Sequence, residues 1–130
     1  MGLIGKKVSE MTPEEVELLK EAAQALARCG ERLEKALKHL SEAETHLDAT
    51  LNAYNKHLCS STGGPDIQGD IKRSLEENLK DAVTSYRKAW KKAEEARYMY
   101  IVQREAIGLR NHRFVDEVYP LPRFRKLNIP

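Results

Sequence analysis

Apolar positions in the first half of the chain recur in alternating steps of three and four, which marks one continuous stripe on a helix. One column runs Leu19, Leu26, Leu33, Leu40, Leu47 and Tyr54. Its neighbour runs Val16, Ala23, Gly30, Leu37, Glu44, Leu51 and Leu58. These are the two seam columns of a heptad held along the whole segment. The flanking column, Ala22, Cys29, Ala36, Ala43 and Thr50, is mostly small and would let a second backbone approach closely. Thr12-Pro13-Glu14-Glu15 supplies an N-cap, a proline at the first helical position and a glutamate placed to close a capping box. No proline interrupts the run, so the spacing predicts a helix over residues 13–59.

Ser60-Ser61-Thr62-Gly63-Gly64-Pro65 ends that pattern with the residues that stop one helix and start another. A second heptad follows and predicts a helix over 66–108. Leu75, Ala82, Ala89, Ala96 and Gln103 form one column, Leu79, Tyr86, Ala93, Tyr100 and Ile107 the other, and Gly108 is a natural stop. Pairing the two helices antiparallel makes opposed residue numbers add to 126, and half of that is Gly63, the middle of the turn. The hairpin therefore closes in register. The expected architecture is all-α: an N-terminal arm over 1–11, a long antiparallel helical hairpin over 12–108 turning at 60–65, and a proline-containing tail over 109–130.

One seam rich in alanine buries little apolar area, so the hairpin is expected to need further cover. Val83 and Trp90 flank the seam of the second helix on one side, Ile71 and Met99 on the other, and Tyr98 to Val102 is apolar all round. Two coverings suit this pattern: a second hairpin completing a four-helix bundle, or the chain's own tail folding back. The first is the expectation adopted, a homodimer whose interface uses Val83, Trp90 and Met99.

The tail changes character. Arg110, Arg113, Arg123, Arg125 and Lys126 against Asp116 and Glu117 give it +3, although the whole chain carries only +2. Phe114, Val115 and Val118 suit one short helical turn before Pro120. Beyond it, Tyr119, Leu121, Arg123, Phe124, Arg125 and Leu127 make an extended strip of apolar and basic side chains, read as a docking element for a partner protein.

Composition adds little to this and removes some alternatives. The chain has 130 residues, 32% of them charged and 6% aromatic, the make-up of long helices. No catalytic or cofactor motif stands out, so the sequence leans away from an enzyme and implies no cofactor. His39, Glu42 and His46 share a helical face at metal-ligand spacing, but on the outside of the seam, which makes them weak metal candidates. Arg73, Lys80 and Arg87, followed by Lys88, Lys91 and Lys92, could contact phosphates, yet acids interleave with them. Cys29 and Cys59 are too far apart along one helix to bridge, which suggests reduced thiols in the cytoplasm. No run approaches the length of a membrane span. The expected function is a non-enzymatic helical scaffold or adaptor. The alternatives are a nucleic-acid-associated helical protein and, third, a metal-binding bundle.

Overall fold

The computed structural model describes residues 7–59 and 65–127, with side chains described from residue 68 onward in the second segment. Four helical elements occur among them, and no strand. A short 3-10 turn, Val8–Glu10, precedes α1 (Pro13–Cys59); α2 (Pro65–Ala106) and α3 (Arg113–Val118) follow. The two long helices pack against each other as a helical hairpin. The turn centred on Gly63, most of the N-terminal arm and residues 128–130 lie outside the described residues.

Local chemistry explains the helix ends. At the start of α1, the Glu15 backbone N–H donates to Thr12 Oγ1 at 3.2 Å, and the Thr12 hydroxyl lies 3.3 Å from Glu15 Oε1. One of the first helical donors is thereby satisfied. The expected second helix ran to residue 108; α2 stops at Ala106. Gly108, at φ 96°, adopts the left-handed conformation that only glycine enters cheaply. Gly108 N–H then reaches Glu105 O at 3.0 Å and Leu109 N–H reaches Arg104 O at 2.9 Å. Those two bonds are a Schellman cap, which uses the last carbonyls of α2 and turns the chain toward α3.

The chain forms two compact units, one from Met1–Leu37 with Lys92–Arg123, the other from Lys38–Lys91 with Phe124–Pro130. In the first, Cys29, Leu33, Tyr100 and Val115 make a buried cluster, with Leu26, Leu37, Ala96, Ile101 and Tyr119 packed around it. Gly30 is what lets Tyr100 in: a Cβ there would stand 3.3 Å from the Tyr100 ring. In the second unit, Leu40, Leu47 and Tyr54 of α1 and Leu79, Ala82, Val83, Tyr86 and Ala89 of α2 are buried.

The packing departs from the heptad reading in one respect. Ala23 and Leu58, assigned to the seam, are exposed, and Leu37, Glu44 and Leu51 are only half-buried. Cys29 and Thr50, from the small flanking column, are buried instead. The physical reason is room: small side chains allow α2 to sit over them, which leaves Leu37 and Glu44 on the side where the C-terminal segment lies.

Candidate functional site

The C-terminal segment is the one non-hairpin element whose side chains meet the long helices at several described points. In the first unit, α3 inserts Val115, which is 0% exposed. Tyr119 follows, its backbone N–H bonded to Val115 O at 2.8 Å. Its ring stands edge-on to Tyr100 at 5.4 Å, and its hydroxyl donates to Glu34 Oε1 at 2.9 Å. The Glu34 carboxylate beside it pushes the phenol above its ordinary range, with burial adding to the shift.

Arginines of α2 hold the same stretch from the other side. Arg97 donates through Nε to Tyr119 O at 3.3 Å and pairs with Asp116. Arg104, almost wholly buried, donates through Nη2 to Asn111 O at 3.1 Å. Its guanidinium lies 5.2 Å from the centre of the Phe114 ring, within cation–π range. His112 Nε2 stands 2.8 Å from Glu105 Oε1.

In the second unit, Phe124 and Arg125 do the equivalent work with different chemistry. The Phe124 ring stacks on Tyr86 at 5.7 Å and meets Trp90 edge-on at 5.1 Å, the two arrangements aromatic pairs favour. The Arg125 guanidinium bridges Asp48 Oδ1 at 2.7 Å and Glu44 Oε2 at 3.2 Å, two acids one helical turn apart. The Arg125 backbone N–H donates to the Tyr86 hydroxyl at 3.0 Å. The hydrogen bond from Arg125 holds the Asp48 carboxyl below its ordinary range. Arg125 is held above its own by the same bond.

The sequence-derived candidates are distributed as follows. Tyr119, Phe124 and Arg125 all engage side chains of their own chain. Leu121 and Leu127 are half-buried and Arg123 is exposed. Of the residues expected at a dimer interface, Val83 is 6% exposed and has little surface left to offer a second copy. Trp90 is half-buried against Phe124, and Met99 is 49% exposed. Beside Met99, Tyr98 is 66% exposed, and the two line an open groove of about 510 Å³ with Glu94 and Glu95. His39, Glu42 and His46 are exposed on α1. Among the described residues, no group of three or more His, Cys, Asp or Glu side chains could hold a metal ion. Both cysteines are free thiols, Cys29 buried and Cys59 exposed. No helix among the described residues is long and apolar enough to cross a membrane.

Sequence reasoning did not find the receiving side of the tail: Glu44 and Asp48 on α1, Tyr86, Arg97 and Arg104 on α2. Two signals pointed there. Glu44 is the only acid in the seam of the first helix, and a half-buried carboxylate demands a counter-ion. The flank that carries Val83 and Trp90 also continues by steps of seven to Arg97 and Arg104, so it was not a purely apolar edge. Searches against protein-family models, curated proteins and solved structures each returned no match to this chain.

Proposed function

We propose that this chain is a non-enzymatic helical scaffold or adaptor that self-associates and docks a partner protein through its C-terminal tail. The observation that supports this reading is how lightly the end of the tail is held. Phe124 is still 39% exposed, and Arg123 and Lys126 are exposed on either side of the Phe124-Arg125 pair. The anchor on α1 is an ion pair at the surface, and such pairs are worth about 0–1 kcal/mol. A segment held this way can be exchanged for contacts with another protein at small cost. Two prolines restrict the free strip and so reduce the entropy lost when it binds elsewhere.

Cross-linking tests it. The full-length protein is treated in its native extract with an amine-reactive linker, and links through Lys126 are mapped by mass spectrometry. The double variant Glu44→Gln/Asp48→Asn, which removes both acids facing Arg125, is treated in parallel. The expected result is links from Lys126 to a second protein species, several-fold more abundant in the variant. Links confined to peptides of this same protein in both samples would overturn the adaptor reading.

A further inference from the structure

Leu18 stands 56% exposed on α1, with Glu14 one turn before it and Glu21 one turn after. Farther along the same helix a pocket of about 180 Å³ opens between α1 and α2, lined by Cys29, Arg32, Lys92, Glu95, Ala96 and Met99. Its wall is mainly apolar, and Arg32 and Lys92 outnumber the one acid, Glu95. There is room for one leucine side chain, since a cavity of about 150 Å³ takes a six-carbon ring. An apolar knob between acids and an apolar hole rimmed by cations are complementary. Both belong to the unit formed by Met1–Leu37 and Lys92–Arg123. One molecule cannot join them. Leu18 and Cys29 lie on one continuous helix, about 16 Å apart at 1.5 Å per residue. Leu18 can therefore reach such a pocket only on a second copy.

The order of charge along α1 fits the same pairing. Glu14, Glu21, Arg28 and Lys35 follow one another at steps of seven along an exposed line, two acids and then two cations. The helix dipole favours acids within the first turn alone, which accounts for Glu14 and not for Glu21. We propose that two copies of this chain pair through this face of α1, antiparallel about a two-fold axis at Ala25. That axis sets Glu14 opposite Lys35 and Glu21 opposite Arg28 of the second copy. It also sets Leu18 opposite Arg32, at the mouth of the pocket. Ala22 and Ala25, small and half-buried, let the two backbones approach. Two-fold symmetry makes every one of these contacts twice. The face lies on the flank of α2 that carries Lys92 and Met99, so the C-terminal segment held by Arg97 and Arg104 stays in place. Of the three residues expected at a dimer interface it retains Met99 alone. The pairing rests on the reading of the chain as a self-associating scaffold and names the face it uses.

Charge reversal tests it. Glu21→Arg and Arg28→Glu are made separately in the full-length protein, both at exposed positions. Mass is followed by sedimentation equilibrium from about 5 to about 500 µM, the range in which a modest interface assembles. The unsubstituted protein should pass from monomer to dimer. Each variant alone sets like charges opposite one another twice, and should dimerise at least about tenfold more weakly. An equal mixture of the two variants restores both oppositely charged pairs. With nitrogen-15 in one variant, native mass spectrometry should show mixed dimers forming about as readily as the unsubstituted dimer. Leu18→Ala trims an exposed side chain, and should weaken the dimer several-fold while leaving the melting temperature of the dilute monomer unchanged. Dimers indifferent to both reversals, or variants that associate no better mixed than alone, would overturn this pairing and leave self-association to another face. A mass that stays monomeric up to about 500 µM would overturn the pairing together with the self-association it rests on.

Discussion

The two halves of the C-terminal segment solve the same packing problem with opposite chemistry. In the unit that contains α3, the helix flank supplies the cations, Arg97 and Arg104, and the tail supplies the aromatic rings and the acid, Phe114, Tyr119 and Asp116. In the other unit the roles reverse. The seam residue Tyr86 and the flank residue Trp90 supply aromatic rings to Phe124, while the tail brings the cation of Arg125 to acids on α1. The two anchors also differ in depth. Val115 is fully buried, whereas the Phe124–Arg125 anchor keeps much of its surface in water. Burial of apolar area sets the strength of the first, and directional, screened contacts set the identity of the second. A strong unspecific anchor and a weak specific one thus follow each other along a short stretch of chain.

The largest effect should come from breaking the deep anchor. Val115→Asp sets an unpaired charge where no water reaches, a change on the order of 3 kcal/mol or more unless α3 leaves its place. Urea unfolding should show the loss of stability, and trypsin should cut at Arg123 many times faster than in the unsubstituted protein. Stability and cleavage both unchanged would mean that the depth of Val115 does not hold the tail.

The hairpin was legible because helical periodicity, caps and turn residues are local signals, and each appears within a few residues of where it acts. The short turn of α3 was visible for the same reason, in Phe114, Val115 and Val118 ahead of Pro120. The receiving face was not legible, because its partners are far apart in sequence. Tyr119 meets Glu34 across 85 positions, and Arg125 meets Glu44 across 81. No spacing rule links such pairs. Glu44 in the seam signalled that a counter-ion was needed, but the sign of the charge could not choose between the chain's own arginines and those of another protein, so the signal did not name Phe124 and Arg125.

Arg125→Ala probes the shallow anchor and should cost about 1 kcal/mol, the upper range for an exposed pair. Its pH dependence identifies the mechanism. The Asp48 carboxyl is held below its ordinary value of 3.8, chiefly by the hydrogen bond from Arg125. Its contribution is therefore complete above that ordinary value and disappears as pH falls through the lowered one. The stability difference between Asp48→Asn and the unsubstituted protein should be constant from about pH 7 to about pH 5. It should shrink toward zero below pH 3.8. A difference unchanged down to about pH 2, well under the ordinary carboxylate range, would show that the Asp48 charge does not hold Arg125.

The smallest effect, and the sharpest comparison, is at Gly30. Alanine should gain up to about 1 kcal/mol of helix propensity. Its methyl would also press on the Tyr100 ring at 3.3 Å, with Tyr119 holding that ring from another side. Gly30→Ala should therefore be neutral or slightly destabilising alone, and stabilising by several tenths of a kcal/mol beside Tyr119→Ala. A double-mutant cycle with no coupling would show that Tyr119 does not fix Tyr100.

Gly108 gives the molecule a property that concerns mirror symmetry rather than packing. Its φ of 96° lies where an L-residue is strained and a D-residue is at ease. No described non-glycine residue has a positive φ. The course of the tail thus depends on one achiral carbon: D-alanine put there by chemical synthesis would keep the Schellman cap, while its mirror image would work against it.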